Sequence, residues 1–399
     1  MIIKNYNQLA NSNSRRKALQ IIDAGLESIN TDKIMDSKVR LKGDSLVISN
    51  YKDSIKKINL EKYKRIVVIG FGKSSSLMAK HVEKVLGNRI DDGIVISTKK
   101  LNLKRIKVIK GTHPYVSQTN VNAAKKIVEL VKKLNKDDLI ISLVSGGGSA
   151  LLCYPNMPFK KYTKEISKHF ASGIDIVALN KIRKKLSRVK GGKLAKLTKA
   201  KIVSLIFSDV VGDDLYTIAS GPTVGKDLKN VDNILLLNNT VALDAMKEKA
   251  QSLGLKPVIV TNKLKGEARF SFKKIIKKNK IKNKKNIALF FAGETTVTVK
   301  GTGKGGRNQE LCLGALEDIS KLKNIVLVSV GSDGMDGPTD AAGSIVDEKS
   351  LQKSINKRLD YKEYLKNNAS YPFFKKTKEL IFTGLTGSNV ADIGLILKL

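Results

Sequence analysis

The sequence predicts an α/β protein that begins with a mostly parallel β-sheet and continues with a second α/β series. Short apolar runs rich in β-branched residues alternate with segments whose apolar residues recur every three or four positions, the pattern of buried strands and amphipathic helices. Several of these runs end directly in glycine-rich turns. At 399 residues, the chain is long enough for two domains of ordinary size.

The first series extends to about residue 207. Its predicted strands are residues 64–70, 93–97, 106–110, 139–145 and 202–207, and its predicted helices are residues 76–87, 121–134 and 174–189. Strands separated by helices in this way form βαβ units, because parallel neighbours need a crossover connection.

A second series begins near Asp232. Its predicted strands are residues 257–261, 287–291, 297–300 and 325–330. We therefore place a domain boundary near residue 230, which gives domains of residues 1–230 and 231–399. The lysine-rich segment at residues 273–285 is predicted to be an exposed helix or loop without chemistry of its own.

The composition is globular, with 41% apolar and 28% charged residues. The formal net charge of +38 raises nucleic-acid binding as an alternative, because basic surfaces release counterions from phosphate backbones. However, the lysines are scattered through almost every segment, and only 5% of residues are aromatic, with no tryptophan. A solvated cationic surface that attracts anionic metabolites is therefore the favoured interpretation.

The sequence also predicts where the protein acts. The two cysteines, Cys153 and Cys312, are far apart, lie in apolar contexts and lack metal-type spacing, which favours buried thiols in a reducing cytoplasm. Residues 1–20 contain no apolar signal core, and no stretch reaches the roughly 18 apolar residues of a membrane span. We predict a soluble, cytoplasmic protein.

The first glycine-rich turn contains Gly72, Lys73 and Ser74. It is not a Walker A loop, because that motif needs a glycine where this chain has Val67. It does place a lysine at the start of a predicted helix, where exposed N–H groups and the helix dipole favour an anion. A solvated lysine on an ordinary strand-to-helix turn is the alternative interpretation.

The second turn consists of Ser145, Gly146, Gly147, Gly148 and Ser149 and follows an apolar strand. Three successive glycines expose backbone N–H groups that suit phosphate oxygens. A flexible loop is the alternative. The position at the carboxyl end of a strand, where ligands bind in open α/β sheets, favours phosphate binding.

The third turn places Asp209 after the strand at residues 202–207, followed by Asp213 and Asp214. A carboxylate at a strand end can orient a hydroxyl group or hold Mg²⁺ beside a transferring phosphoryl group. Capping is the alternative role. We assign capping to Asp213 or Asp214 and chemistry to Asp209.

Two further turns lie in the second domain. In one, Glu294 precedes four glycines that lead to Arg307 and Asn308. Arginine forms paired bonds to carboxylate or phosphate, so Arg307 is a candidate anion clamp, although a β-hairpin leading into a capped helix would also explain the glycines. In the other, the aspartates of residues 331–340 suggest a metal, but turn formation is the stronger interpretation. A similar turn recurs near Asn389.

The histidines do not indicate a catalytic relay. None of His81, His113 and His169 lies in a motif of a nucleophilic or zinc site. His113 precedes a proline and is predicted to be a turn residue.

Eight segments, in this order, resemble the glycerate 2-kinase family, also called the MOFRL family. They are GFGKSSSLMA, GTHPYVS, LVSGGGSALL, NKIRKKLSRVKGGKLA, FSDVVGDDLYTIASGPT, AGETTVTVKGTGKGGRNQE, GSDGMDGPTDAAG and TGLTGSNVADI. The resemblance covers the chain from Gly70 to Asp392. It implies a Rossmann-like domain, a smaller α/β domain with a mixed sheet, and a cleft between them for ATP, Mg²⁺ and D-glycerate. The implied reaction is phosphorylation of the 2-hydroxyl group of D-glycerate, giving 2-phosphoglycerate and ADP.

The resemblance also assigns site residues. Lys73 and Arg307 correspond to residues that line the active site in the family, Asp209 corresponds to the aspartate of the SDV motif, and we predict that these three are catalytic. The predicted nucleotide- and phosphate-binding residues are Ser145, Gly146, Gly147, Gly148, Ser149 and Asn389; the predicted substrate-binding residues are Gly72, Ser74, Glu294 and Asn308; the predicted metal ligands are Asp209 and Asp213. The family often has histidine where this chain has Lys185, so no role is assigned there.

Two other functions are kept as alternatives. One is an oxidoreductase of the hydroxypyruvate reductase type, although Ser75 replaces the third glycine of a dinucleotide fingerprint and Asp92 precedes its strand. The other is a basic nucleic-acid-binding protein. The residues alone leave open attack at the 2- or 3-hydroxyl group, the strictness of substrate choice, the preferred metal, and whether the protein is a monomer or a homodimer.

Overall fold

A computed structural model describes residues 1–171, 176–281 and 284–399. Within these ranges the chain forms two compact units. Residues 31–238 form the first, called here the parallel-sheet unit. Residues 1–30 and 239–399 form the second, called the mixed-sheet unit.

Helices and strands are numbered in chain order. The helices are α1 (Tyr6–Leu9), α2 (Asn13–Ser28), α3 (Thr31–Lys38), α4 (Ser75–Leu86), α5 (Gln118–Lys132), α6 (Gly148–Leu151), α7 (Phe159–Ala171), α8 (Ile176–Lys185), α9 (Asn239–Ser252), α10 (Ser271–Asn279), α11 (Arg307–Ser320), α12 (Ser350–Asn356), α13 (Tyr361–Lys366) and α14 (Ser370–Thr377). The strands are β1 (Val39–Lys42), β2 (Ser45–Ser49), β3 (Ile55–Asn59), β4 (Arg65–Phe71), β5 (Asp92–Ser97), β6 (Lys107–Lys110), β7 (Asp138–Val144), β8 (Lys201–Phe207), β9 (Val231–Leu237), β10 (Lys256–Leu264), β11 (Ile287–Gly293), β12 (Ile325–Gly331), β13 (Gly343–Asp347), β14 (Leu380–Ile381) and β15 (Asp392–Lys398).

The parallel sheet determines where the glycine-rich turns of its unit lie. Its strands are all parallel, in the order β6-β5-β4-β7-β8-β9, which is the 3-2-1-4-5-6 order of doubly wound folds. Strands β4, β7 and β8 are almost entirely buried, as expected where helices cover both faces. The order reverses between β4 and β7, and a ligand crevice forms at the carboxyl ends of strands at such a point.

The predicted parallel sheet is confirmed. Each of its five predicted strands begins and ends within one residue of an observed strand, β4 to β8, because a continuous apolar run bounded by polar residues marks a buried strand clearly. The helices predicted at residues 76–87 and 121–134 are α4 and α5. The helix predicted at residues 174–189 overlaps α8, which ends at Lys185, while residues 174 and 175 lie outside the described residues.

Residues 39–59 form a small antiparallel sheet that the sequence analysis did not predict. Its strand order is β1-β2-β3. Only Leu46 and Ile48 of β2 are buried within that strand, so its apolar alternation is too short to be distinctive. Strand β1 contacts α3 and α4, and the His81 ring Nε2 lies 2.9 Å from the Val39 carbonyl oxygen.

The mixed-sheet unit contains a mixed sheet, as predicted, and this sheet has six strands. Its order is β10-β11-β15-β12-β13-β14, and only β10 and β11 are parallel. Strand β15 pairs with both β11 and β12, so the last segment of the chain lies inside this sheet. Helix α11 contacts β12 and β13, whereas α2 contacts α9, β12 and β15.

The prediction of a strand at residues 297–300 is wrong. This segment belongs to no strand. Side chains from elsewhere take up its backbone donors: Thr298 N–H donates to Glu267 Oε1 (3.1 Å), and Lys300 N–H donates to Asn368 Oδ1 (2.8 Å). The alternating apolar residues therefore lie in an extended loop that is held by side chains rather than by a neighbouring strand.

The observed units differ from the predicted domains of residues 1–230 and 231–399. Residues 1–30 belong to the mixed-sheet unit, because α2 packs its apolar face on elements of that unit. That face consists of Ala18, Leu19, Ile21, Ile22 and Leu26. The division between the units lies after residue 238, because β9 is a strand of the parallel sheet.

Three smaller predictions concern single features. Part of the lysine-rich segment at residues 273–285 lies in α10, which buries Phe272 and Ile275, and residues 282 and 283 lie outside the described residues. Cys153 and Cys312 are free and buried, as predicted. No described helix combines the length and the apolar character that crossing a bilayer requires.

Candidate functional site

The turns that follow β4 and β7 interlock where the strand order reverses. Lys73 N–H donates to the Gly146 carbonyl oxygen (2.8 Å), and Ser74 N–H donates to Ser145 Oγ (3.0 Å). Gly72 has a φ of +137°, and a Cβ at this position would overlap Ser145. Only glycine therefore allows the two turns to approach this closely, and the hydrogen bonds fix the backbone that carries Lys73.

Gly147 and Gly148 complete the turn after β7. Gly147 has a φ of +80° and immediately precedes α6. Gly148 N–H donates to the Ser145 carbonyl oxygen (3.2 Å), whereas the N–H groups of Gly146 and Gly147 form no hydrogen bond within the ranges that the structure describes. Two adjacent unbonded N–H groups suit an anionic oxygen.

Two side chains lie against Gly147. A Cβ at this glycine would be 3.2 Å from Lys73 Cγ and 2.9 Å from His113 Cδ2. Lys73 and His113 are both partly exposed. The structure thus places the predicted catalytic lysine next to a histidine that the sequence analysis interpreted as a turn residue.

Asp209 contacts the same turn from β8, the strand next to β7. A Cβ at Gly146 would overlap the Asp209 carboxylate, so this carboxylate lies directly against the glycine. Asp209 is also partly exposed. We call Lys73, His113, Gly146, Gly147 and Asp209 the switch-point cluster.

The other aspartates of the third turn have partners of their own. Asp213 Oδ2 accepts a hydrogen bond from Asn238 Nδ2 (2.7 Å). Asp214 accepts from Tyr216 N–H (3.1 Å) and Thr217 Oγ1 (2.5 Å), so it caps a turn rather than the start of an α-helix. Among the described residues, no group of three or more His, Cys, Asp or Glu side chains could hold a metal ion. A divalent ion at Asp209 would therefore need further oxygen ligands from a substrate.

Ser149 is held by residues that the sequence analysis missed. Its Oγ lies 2.6 Å from Ser220 Oγ, and its carbonyl oxygen accepts a hydrogen bond from Lys190 Nζ. Lys190 is only 1% exposed, and burial lowers the pKa of its ammonium group to about 8. In the sequence, Lys190 is one of several lysines in NKIRKKLSRVKGGKLA, a segment that carries the family resemblance, and no local feature predicts that it is buried.

In the mixed-sheet unit, Arg307 bonds to two carboxylates. Its Nε and Nη2 donate to Asp392 (2.6 and 3.0 Å), and its Nη1 forms an ion pair with Glu294 Oε1 (2.8 Å). Burial raises the pKa of Asp392, although Arg307 opposes this shift. The side chain of Asp392 is 10% exposed and that of Glu294 is 48% exposed. Asp392 thus fixes the guanidinium group. Glu294 pairs with the other edge of this group, where a ligand carboxylate or phosphate could bind instead.

Asn308 lies in the first turn of α11 and forms hydrogen bonds at the start of this helix. Its backbone N–H and that of Gln309 donate to the two oxygens of Asp336 (3.0 and 2.8 Å). The Asn308 amide also donates to Asp392 Oδ1 (3.0 Å) and accepts from Ser329 Oγ (2.6 Å). Asn308 is 1% exposed, and its side chain contacts Asp336, Asp392 and Ser329. Asp336 acts by binding backbone groups, as predicted for the fifth turn.

The burial of Asp336 predicts a pH-dependent stability. Burial raises its pKa from the ordinary value of 3.8 to about 6, although hydrogen bonds from Asn308 and Gln309 oppose this shift. Between these values the folded chain binds a proton that the unfolded chain does not, so stability falls as the pH rises through this interval. Relative to Asp336→Asn, we expect the native free energy of unfolding to fall by about 2 kcal/mol between pH 4 and pH 7. Urea denaturation at both pH values measures this difference, and a constant difference contradicts the prediction.

Asn389 lies at the same sheet edge as Arg307. Its Oδ1 accepts hydrogen bonds from Ala391 N–H (3.0 Å) and Ser332 Oγ (3.4 Å). Asp392, at the start of β15, pairs with the last residues of both β11 and β12. The turns that carry Glu294, Ser332 and Asn389 therefore meet at this edge of the mixed sheet.

Comparisons with known proteins identify the family. Residues 17–253 match the family model described as Domain of unknown function (DUF4147), and residues 287–392 match the MOFRL family. The protein named Glycerate 2-kinase from Pyrococcus horikoshii is 33% identical, and the match covers 95% of this chain and 96% of that protein. The chain belongs to the glycerate 2-kinase family.

A solved structure confirms the fold of this glycerate 2-kinase family member. The crystal structure of glycerate kinase from Thermotoga maritima has a TM-score of 0.84 and 32% identity, and the match covers 96% of this chain and 98% of that chain. A further relative, from Agrobacterium vitis, is named provisionally as a hydroxypyruvate reductase. It is 34% identical over 84% of this chain and 99% of that protein.

The glycerate 2-kinase motifs contained a signal for three of the site residues that the sequence analysis missed: Lys190, in NKIRKKLSRVKGGKLA, and two others. His113 lies in GTHPYVS, and Asp392 lies in TGLTGSNVADI, two of the eight segments that carry the family resemblance. For His113, the neighbouring proline favoured a turn. For Asp392, no feature of the sequence shows its pairing with Arg307, which lies 85 positions earlier.

Proposed function

We propose that this chain transfers the γ-phosphoryl group of ATP to the 2-hydroxyl group of D-glycerate, giving 2-phosphoglycerate and ADP. The observation that carries the proposal is the switch-point cluster. A lysine and a carboxylate lie against two glycines with unbonded N–H groups, at the strand ends where nucleotides bind in doubly wound sheets. Catalysis of phosphoryl transfer consists mainly of positioning and of charge stabilisation, and the cluster is suited to both.

The chemistry of each candidate side chain suggests its role in the proposed reaction. Lys73 neutralises charge on the transferring phosphoryl group, and the N–H groups of Gly146 and Gly147 hold the nucleotide phosphates. Asp209 orients the glycerate hydroxyl group and accepts its proton. Arg307 binds the substrate carboxylate, because its guanidinium group is already fixed by paired hydrogen bonds on one side.

The carboxylates near the cluster fit Mg²⁺ that is bound together with a nucleotide. Protein sites for this ion commonly use one or two carboxylates and complete the shell with phosphate oxygens and water. Asp209 would hold the ion, and Asp213 would add an oxygen, although one of its oxygens already binds Asn238. The bound ion would supply positive charge against the phosphate oxygens.

The place of action and the assembly are part of the same proposal. We place the enzyme in the cytoplasm, which the two buried free thiols support. We also propose that it acts as a monomer or a homodimer on small molecules, without binding nucleic acid or membranes. The scattered lysines support this view, because nucleic-acid sites combine basic residues with aromatic or groove-reading elements.

An enolase-coupled assay tests the reaction and its regiochemistry. With ATP, Mg²⁺ and D-glycerate, we expect phosphoenolpyruvate to form when enolase is the only coupling enzyme, because enolase dehydrates 2-phosphoglycerate directly. A signal that appears only after a phosphoglycerate mutase is added would instead indicate attack at the 3-hydroxyl group. The absence of ADP formation under both conditions would contradict the kinase proposal.

The relative from Agrobacterium vitis favours hydroxypyruvate reduction as the second candidate. Two features of this chain argue against it. Ser75, in place of the third glycine of the fingerprint, has its Oγ bonded to the Gly72 and Ile96 carbonyl oxygens (2.8 and 3.1 Å). Asp92 is the first residue of β5, whereas an acid that binds the ribose of NAD follows a strand. Oxidation of NADH by hydroxypyruvate, measured on the same preparation, would favour the reductase.

A further inference from the structure

We infer that His113 is a further catalytic residue of the phosphoryl-transfer site, where its imidazole donates a hydrogen bond to an oxygen of the transferring phosphoryl group. The inference rests on the proposed kinase function and deepens it. It concerns a residue that the sequence analysis interpreted as part of a turn.

The position of the ring carries the inference. A Cβ at Gly147 would be 2.9 Å from His113 Cδ2 and 3.1 Å from His113 Nε2. The same point is 3.2 Å from Lys73 Cγ, so the imidazole edge and the lysine stem flank one glycine. Gly147 N–H has no hydrogen-bond partner in the described parts of the chain. An anion bound at this N–H group would therefore lie within reach of both side chains.

The loop that carries His113 is anchored to the same turn. Asn120 is fully buried, and its Nδ2 donates to the carbonyl oxygens of Thr112 and Ala150 (both 2.9 Å). Asn120 Oδ1 accepts from Thr112 N–H (2.9 Å). Ala150 belongs to α6, which begins directly after Gly147. The buried amide therefore fixes the His113 loop relative to the glycine turn, and Thr112 and Asn120 maintain this anchor without help from the imidazole.

The chemistry assigned to His113 is charge stabilisation without a covalent bond. The bond between the γ-phosphorus atom and the β–γ bridging oxygen breaks, and ADP leaves with the electron pair. The 2-oxygen of glycerate forms the new bond to phosphorus, and its proton passes to Asp209 and then to solvent. Negative charge spreads over the phosphoryl oxygens, and a fixed N–H donor at one of them lowers the barrier. His113 leaves the reaction in the state in which it entered.

Paired substitutions test the role of the donor. In the enolase-coupled assay, we expect His113→Leu to lower kcat about 100-fold, the effect of removing one fixed donor from an oxyanion site. His113→Gln keeps an N–H donor, and we expect it to recover at least about tenfold of that loss. The KM for D-glycerate should change less than kcat, since the donor acts on the phosphoryl group. His169→Leu is the matched control, because His169 lies on α7 and bonds Glu165 (3.2 Å).

Equal losses in His113→Leu and His113→Gln, or unchanged kcat in both, would overturn the inference. Thermal unfolding of each variant shows whether it is folded. If His113→Leu does not fold, the kcat of His113→Gln is compared with that of the native chain. A loss of more than about 30-fold in kcat in a folded His113→Gln variant contradicts the role of the donor.

Imidazole NMR provides a test that does not depend on turnover. The chain has three histidines, so their resonances can be assigned by single substitutions. With Mg²⁺ and the non-hydrolysable analogue AMP-PNP, we expect the His113 resonances to shift and those of His81 and His169 to stay unchanged. Backbone shifts elsewhere without a change at His113 would overturn the inference and leave the proposed function standing. If the native chain forms no ADP, both the proposed kinase function and the inference about His113 are contradicted.

Discussion

Lys73→Met is expected to reduce kcat/KM for glycerate phosphorylation by at least about 1,000-fold while the protein stays folded. Methionine keeps an unbranched side chain against Gly147, where Lys73 Cγ lies, and removes only the ammonium group. The backbone hydrogen bond from Lys73 N–H to the Gly146 carbonyl oxygen is independent of the side chain. The enolase-coupled assay measures the loss, and thermal unfolding checks the fold.

Lys80→Met is the matched control for this experiment. Lys80 lies on α4, the helix that follows the Lys73 turn, but it is exposed. The Lys80→Met substitution removes one positive charge from the same part of the chain. We expect its activity to stay within about twofold of the native value, because surface charges in water interact weakly. A native rate in Lys73→Met, or an equal loss in both variants, would show that the ammonium group of Lys73 has no specific catalytic role.

Gly146→Ala is expected to have the second largest effect, a loss of at least about 100-fold in kcat. A Cβ at this position would overlap the Asp209 carboxylate, and the open space between the two turns is too small for the carboxylate to stay in place. The substitution therefore displaces the proposed base and also crowds an N–H group proposed to bind phosphate. The rate at saturating D-glycerate and ATP measures the effect.

Gly225→Ala is the control for the added methyl group. Its nearest neighbour would be Leu228 Cδ1 at 3.1 Å, the end of a flexible side chain that can move. We expect native activity and a small change in the thermal midpoint. If Gly146→Ala is as active as Gly225→Ala, then the contact between Asp209 and the glycine turn is not needed for turnover.

How far the fold could be predicted depended on the kind of strand. Strands β4 to β8 are continuous apolar runs in a parallel sheet, and each was located within one residue. Strands β9, β13 and β15 were not predicted, although β15 is largely buried and lies inside the mixed sheet. Its apolar run ends at the last residues of the chain, after a turn that resembles the others, and local pattern does not show that it pairs with β11 and β12.

The glycines before Arg307 show how one pattern can have two causes. The sequence suggested an anion-binding loop or a hairpin. In the structure, a Cβ at Gly301, Gly303 or Gly305 would overlap atoms of residues 367–370, so these glycines are needed for close packing of the loop. Arg307 itself keeps its charge pairs with Glu294 and Asp392. The pattern therefore located the arginine correctly, while the reason for the glycines required the fold.

The predicted residues of the parallel-sheet unit were recognisable because each follows a strand, and parallel strands bring their ends to one edge. Lys73, Gly146 and Asp209 come together for this reason. Lys190 and His113 could not be placed in the same way. Lys190 is buried behind Ser149, and His113 contacts Gly147 from a loop that the Asn120 amide holds. Such contacts depend on tertiary structure that no local pattern records.

Packing of the first thirty residues with the mixed-sheet unit has a consequence for how the chain can be divided. Separate expression of residues 239–399 would remove α2 from α9, β12 and β15, and would leave an apolar face in water. A circular permutant that begins at residue 31 and links residue 399 to residue 1 makes each unit one uninterrupted stretch of polypeptide. In that order of segments, each half can be cloned, labelled or exchanged with a homologue without cutting through a hydrophobic core.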